Sequence, residues 1–144
     1  MAALAKAFEA FPKPTIIVNY KIAASTTIYK GALVGVNANG FLVPMSHSTA
    51  NLKFVGIAEE TVANSGSNGS KSCRVSKSGG GVYVDLSSTT QASIGAEVYA
   101  KTDNELQINT SGLTNEYKVG TIVSLEQTST GVAGLRIRID RHTQ

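Results

Sequence analysis

The sequence predicts an all-β domain, and three observations lead to this prediction. First, residues 31–44 have the pattern of a β-hairpin, because aliphatic residues flank the turn Asn37–Gly40, which ends in Asn-Gly. Second, valine, isoleucine, threonine, serine and glycine are abundant, while long charged helix formers are scarce. Third, the hairpin layout returns 64 positions later in the chain. We therefore expect one domain with about eight to ten strands.

The returning layout predicts two copies of one β-unit, over about residues 31–75 and 95–139. The matched positions are turn residues and inward aliphatic residues: Gly31 with Gly95, Val34 with Val98, Asn39-Gly40 with Asp103-Asn104, Leu42 with Leu106, Asn51 with Asn115, Val55-Gly56 with Val119-Gly120, and Cys73-Arg74-Val75 with Ile137-Arg138-Ile139. No gap is needed at any of them. Gly56, inside a strand pattern, indicates a bulge or a close backbone approach. Residues 76–94 are expected to join the two units.

Residues 1–14 are predicted to form an N-terminal arm or short helix, ahead of a single β-domain over residues 15–144. Phe8 and Phe11 recur at helical spacing, and two prolines end the pattern. A helix this short is marginal on its own. Two interpretations therefore stay open: an arm that packs its phenylalanines on a neighbouring subunit, or a short helix that covers its own domain.

The alternation of residue types predicts which side chains face the core. In the strand Val82–Leu86, both valines and Leu86 are expected to point inward, with Tyr83 and Asp85 turned to solvent. The strand Leu135–Asp140 places its three aliphatic residues on one face and its charged residues on the other. Burial of those three aliphatic side chains, at about 1.5–3 kcal/mol each, is expected to hold this strand in the core.

Composition and spacing argue against several function classes. The net charge of +3 is mild, and the basic residues are scattered singly, unlike the clustered face of a nucleic-acid binder. No stretch approaches the about 20 apolar residues of a membrane span. The one cysteine, Cys73, allows no intrachain disulfide, and we expect it to be a buried core residue. His47 has no partner at metal-ligand spacing, so we expect a solvated loop histidine and no metal site.

No catalytic constellation is recognisable in the sequence. The chain lacks a G-x-S-x-G nucleophile elbow, and its glycine-rich stretch lacks the phosphate-binding G-x-x-x-x-G-K-[ST] spacing. His47 and His142 fall in a predicted loop and a tail, where nothing would fix a tautomer. Glu59 and Glu60 are adjacent on a presumed strand, so they point to opposite faces. We therefore expect neither an enzyme nor a bound cofactor.

Six segments carry a family resemblance. They are Gly31 to Leu42, Phe54 to Glu60, Gly81 to Leu86, Ile94 to Ala100, Val119 to Val123 and Leu135 to Ile139. Their motifs run G-A-x-V and N-G-x-L, then F-V-G-I-A-E-E, G-V-Y-V, I-G-A-E-V-Y, V-G-T-I-V and finally R-I-R-I. In this order the motifs are similar to those of the capsid cement, or head decoration, proteins of tailed bacteriophages.

The resemblance implies a structural virion protein. Family members bind the outside of an expanded capsid and strengthen it by bridging major capsid protein subunits, often as trimers, and they have barrel-like or tulip-like β-cores. For this chain it implies a homotrimer on the outer capsid surface, made in the host cytoplasm, with the major capsid protein as partner. It implies no contact with nucleic acid or membrane.

The expected contacts with the capsid or a neighbouring subunit lie in the arm and in a polar loop over Asn64–Ser72. The candidate residues are Phe8, Phe11, Asn64, Asn68 and Lys71. The loop has the composition of the most flexible part of the chain, because glycine, serine and asparagine supply turns but little packing. Two alternatives stay open: a phage tail or fibre module, or a surface module that binds glycan. A small hydrolase is a third, different class.

Overall fold

A computed structural model describes residues 16–144, and these residues hold twelve β-strands and one 3₁₀ turn at Gln91–Ser93. The strands are β1 Ile17–Lys21, β2 Thr26–Ile28, β3 Leu33–Val36, β4 Leu42–Pro44, β5 Lys53–Ala58, β6 Val62–Asn64, β7 Ser72–Ser76, β8 Gly80–Asp85, β9 Glu97–Ala100, β10 Glu105–Gln107, β11 Lys118–Gln127 and β12 Ala133–Arg138. The predicted all-β class is confirmed. Twelve strands are more than the eight to ten that were expected. Four of the twelve, β2, β4, β6 and β10, are short, with three residues each.

The strands form two units with the same strand order. Unit 1, residues 17–76, contains a five-stranded sheet in the order β1-β7-β5-β3-β4, and β2 pairs separately with β6. Unit 2, residues 80–138, is a closed barrel in the order β8-β12-β11-β9-β10, in which β10 pairs in parallel with β8. In unit 1, a single parallel bridge, between Ile22 and Leu42, takes the place of the β8–β10 pairing that closes unit 2.

The pairing registers of the two units also agree. In unit 1, Val34 pairs with Gly56 beside a β-bulge. In unit 2, Val98 pairs with Gly120 beside a bulge at the matching place, 64 positions on. The glycine is required at Gly56, because a Cβ there would lie 2.0 Å from the carbonyl oxygen of Ser76. The close backbone approach expected from the sequence is therefore present.

The constant offset fails at the last strand of each unit. Val75 pairs with Ala58, and Ile137 pairs with Ile122, so Ile137 occupies the position of Val75 at an offset of 62. The predicted match of Cys73 with Ile137 is thus wrong by two residues. Side chains in a strand alternate with period 2, so a shift of two keeps every side chain on its face and leaves no trace in the pattern. In addition, β8 takes the place of β1, so part of the expected linker belongs to unit 2.

Two clusters of buried side chains form the core. One fills unit 1 with Ile22, Ile28, Ala32, Val34, Leu42, Val55, Ala58, Cys73 and Val75. The other joins the interior of unit 2, including Val98, Leu106, Val119, Ile122, Leu135, Ile137 and Ile139, to Leu33, Met45, Leu52 and Phe54 of unit 1. The expected burial of Cys73 and of the aliphatic residues of the last strand is confirmed. Because the second cluster spans both units, the units share one core.

The predicted facing of β8 is wrong. Tyr83 is only 6% exposed and pairs with the buried Leu135, whereas Leu86 is 44% exposed. The hydroxyl of Tyr83 donates a hydrogen bond to the carbonyl oxygen of Gly31 at 2.7 Å. A tyrosine with such a partner can be buried as readily as an aliphatic residue, so the inward side of β8 is the one that holds the aromatic ring.

We expect Gly56→Ala to lower the free energy of unfolding by at least about 3 kcal/mol. The backbone φ of Gly56 is +148°, and a methyl group would collide with the backbone of β7. Gly40→Ala is the matched control, because φ is also positive there (+85°) but the space around it is open. The control should lose about 1 kcal/mol. Equal losses for the two variants in urea unfolding would contradict the proposed backbone approach.

Candidate functional site

A cleft of about 430 Å³ lies between the two units. We call it the interunit cleft, and its lining residues are Tyr29–Ala32 of unit 1 and Val82–Val84, Asp103, Asn104 and Thr128–Thr130 of unit 2. The unit 1 residues form the connection from β2 to β3. The unit 2 residues come from β8, the β9–β10 turn and the β11–β12 turn. Its size falls within the range of about 300–1,000 Å³ that is typical of small-ligand pockets, which often lie between domains.

Two hydrogen bonds between the units fix the shape of the interunit cleft. Tyr83 donates to the carbonyl oxygen of Gly31, and the N–H of Leu33 donates to the carbonyl oxygen of Asp103 at 2.8 Å. Burial raises the pKa of Tyr83 well above its usual range, and the charge of Asp103 raises it further. Tyr83 is therefore a neutral phenol at physiological pH and remains a hydrogen-bond donor.

Asp103 is the one acidic residue that lines the interunit cleft. Burial raises the pKa of its carboxyl group; its own backbone N–H partly offsets this effect, and the charge of Glu105 adds to it. Within residues 16–144, no cation lies within ion-pairing distance of this carboxylate. Because it is half-buried and lines a cleft, Asp103 is a candidate ligand-contact residue.

The rim of the interunit cleft carries an aromatic ring and several neutral polar groups. Tyr29 is 62% exposed, although it is a large aromatic residue. The hydroxyls of Thr128 and Thr130 lie 3.1 Å apart, and the amide of Asn104 and the ammonium of Lys30 line the same space. None of these residues was proposed as a site residue from the sequence, in which Asn104 appeared only as part of a predicted turn.

The structure shows Asn64 to be an internal anchor. Its side chain is only 2% exposed, and its Nδ2 donates to the carbonyl oxygens of Ile22, Ala23 and Ser67 at 3.0–3.1 Å. Its Oδ1 accepts a hydrogen bond from the N–H of Gly66 at 3.0 Å. The side chain therefore has little surface with which to contact a partner, and its amide holds the polar loop against unit 1.

The other predicted contact residues are placed differently. Asn68 is exposed, and its Oδ1 accepts a hydrogen bond from the N–H of Ala24 at 2.8 Å. Lys71 is exposed. These hydrogen bonds anchor the loop that its composition marked as the most flexible part of the chain. Phe8 and Phe11 lie outside the described residues.

Both histidines have specific surroundings. His47 lies in the expected loop, between β4 and β5, and is half-buried; its Nδ1 accepts a hydrogen bond from the N–H of Thr114 at 3.2 Å. His142 places Nε2 3.3 Å from the hydroxyl of Thr121 and Nδ1 3.9 Å from Glu97. The expectation that nothing orients these two rings is wrong. Across residues 16–144, no group of three or more histidine, cysteine or acidic residues could hold a metal ion.

Comparisons of the chain with protein-family models, with curated proteins and with solved structures found no match. Within the part of the chain that the structure describes, no helix is long and apolar enough to cross a membrane.

We expect Asp103→Asn to raise the free energy of unfolding at pH 7. The folded-state pKa of Asp103 lies above its ordinary value, so the ionised carboxylate opposes folding. The stability gained by the variant should shrink as the pH falls and vanish below about 3.9, the ordinary pKa of an aspartate, where the carboxyl is protonated in both states. Urea unfolding as a function of pH measures this difference.

Asp140→Asn is the matched control for the opposite sign. A hydrogen bond from Arg138, followed by one from the N–H of Gly79, lowers the pKa of Asp140. Its ionised form therefore favours folding, and the variant should be less stable than the parent at pH 7. An Asp103→Asn variant that is also less stable at pH 7 would contradict the assigned cost of the Asp103 charge.

Proposed function

We propose that this protein is a capsid decoration protein of a tailed bacteriophage. It binds the outer surface of the shell, bridges neighbouring major capsid protein subunits and acts there as a homotrimer. It is made in the host cytoplasm and becomes part of the virion. The motif resemblance supports this proposal, and the structural observation that carries it is the outer edge of β1, with which no strand of residues 16–144 pairs.

The hydrogen bonds of β1 define that outer edge. The N–H of Ile22 donates to the carbonyl oxygen of Lys71, and the N–H of Lys77 donates to that of Ile16. Because antiparallel partners exchange hydrogen bonds at every second residue, the even-numbered residues of β1 face β7. The N–H and C=O groups of Ile17, Asn19 and Lys21 therefore point away from β7. Among residues 16–144, no strand pairs with them there.

An edge of this kind suits the bridging role. A strand from a neighbouring subunit that pairs with it gains backbone hydrogen bonds without needing a particular side chain. Ile16 and Ile17 are 59% and 53% exposed, and they add apolar surface beside the edge. Each contact need contribute only a few kcal/mol, because many copies on one shell act together.

The shared core suits the same role. A clamp between subunits must transmit force without deforming, and side chains packed across both units resist relative movement. The polar loop at Asn64 is held by buried hydrogen bonds, so it too presents a fixed surface. These features support a structural role for the described part of the chain.

We expect Asn19→Pro to weaken binding to expanded capsid shells by at least about tenfold, the equivalent of about 1.4 kcal/mol. Proline removes the outward N–H and fills the edge with its ring, while the hydrogen bonds to β7 belong to other residues. The measurement is co-sedimentation of the purified variant with shells of the parent phage that lack the protein.

Asn19→Ala is the matched control, because it removes the same side chain and keeps the N–H. It should bind like the parent protein. Thermal unfolding of both variants tests that β1 remains in place. If folded Asn19→Pro protein binds as tightly as Asn19→Ala, strand addition at β1 is excluded.

Deletion of residues 2–14 tests the arm with Phe8 and Phe11. We expect lower occupancy on expanded shells, because the deletion removes the two large apolar side chains that the proposed arm would pack on a neighbouring subunit. The double variant Phe8→Ala, Phe11→Ala keeps the chain length and should reproduce most of the loss. Undiminished occupancy, counted in image reconstructions of decorated particles, would remove the arm from the proposed contact.

A further inference from the structure

We propose that the interunit cleft binds a neutral saccharide of one or two hexose units. Three features of the cleft carry this inference: the exposed side chain of Tyr29, the carboxylate of Asp103, which has no ion-pair partner within residues 16–144, and a rim of neutral hydrogen-bonding groups. This binding activity is separate from attachment to a capsid, and the two can occur on one molecule because β1 does not line the cleft.

Tyr29 provides the stacking surface. It lies on the connection that leads into β3, and the N–H of Ala32 donates to its carbonyl oxygen at 3.0 Å, which fixes the backbone of that connection. The backbone N–H of the next residue, Lys30, donates to the hydroxyl of Thr61 at 2.9 Å. The backbone that carries Tyr29 is thus fixed at the rim, and an aromatic ring can cover the apolar C–H face of a sugar.

Asp103 provides the hydrogen-bond acceptor. An ionised carboxylate has two oxygens with about four acceptor positions, so it can take the hydroxyls of two neighbouring sugar carbons at once. Hydrogen bonds to a charged group are stronger than those between neutral groups, and the half-buried position of Asp103 limits competition from water. Asp103 makes no ion pair within residues 16–144, and the sugar hydroxyls would be its hydrogen-bond partners.

The charge of the lining favours a neutral ligand. Lys30 and Asp103 carry the only formal charges among the residues that line the cleft, and their charges are opposite. The two opposite charges leave the lining with no net charge, so it gives no net attraction to a free anion or a free cation. The remaining polar groups are the amide of Asn104 and the hydroxyls of Thr128, Ser129 and Thr130, which can both donate and accept hydrogen bonds.

The test uses the purified full-length chain and three neutral disaccharide probes: maltose, cellobiose and N,N′-diacetylchitobiose. We expect at least one probe, at millimolar concentration, to shift the backbone amide NMR signals of Gly31, Asp103 and Asn104. Tyr29→Ala and Asp103→Asn should each weaken that binding by at least about tenfold. Tyr29→Phe keeps the ring and should retain the binding.

Tyr99→Ala is the control for the loss of an aromatic ring, because Tyr99 lies outside the interunit cleft. It should leave saccharide binding unchanged. No shift with any of the three probes, or shifts that map away from the cleft, would overturn the proposal. So would tighter binding of a lysine or glutamate peptide at the same residues. The assay contains no capsid, so its failure leaves the proposed attachment to the shell untouched.

Discussion

The structure depends on covering the outer face of β3, β4 and β5. Leu33, Met45 and Phe54 point out of unit 1, and in water this apolar face would oppose folding of unit 1 by itself. Unit 2 covers the face with the interior residues of its barrel, so the two units fold around one core. The matching positions of unit 2, 64 residues on, are the exposed polar residues Glu97, Asn109 and Lys118. Within residues 16–144, this apolar face therefore occurs on unit 1 alone, and unit 2 covers it.

The interunit cleft follows from this docking. The open sheet of unit 1 and the barrel of unit 2 do not fill all the space between their loops, and the cleft is the space that is left beside the shared core. Tyr83 belongs to both features, because its ring lies in the core and its hydroxyl bonds to Gly31 at the cleft. A group with a desolvation cost, such as Asp103, can persist there because the core supplies the stability that the charge removes.

Much of the fold could be predicted from local patterns. The hairpin over residues 31–44, the glycine at Gly56 and the doubled β-unit each rest on turn chemistry or on apolar alternation, which act over a few residues. The facing of Tyr83 could not be predicted in this way, because it depends on an acceptor 52 positions away in sequence. The anchoring role of Asn64 could not be predicted for the same reason: its amide bonds to Ile22 and Ala23, and its neighbours in sequence suggest only a polar loop. The interunit cleft is lined by turns from both units, so no single stretch of the sequence predicts it.

The two units differ in how their edge strands pair, and this difference leaves the open edge of β1 in unit 1. In unit 2, the N–H of Val84 donates to the carbonyl oxygen of Asn104 and the N–H of Leu86 donates to that of Leu106, and these bonds close the barrel between β8 and β10. In unit 1, only Ala23 makes the corresponding bond, to the carbonyl oxygen of Leu42. Pro44 has no N–H to offer at the outer edge of β4, so that edge is a poor template for another strand. Of the two facing edges in unit 1, β1 is therefore the one suited to receive a strand, and a long exposed edge that served no partner would be an aggregation hazard.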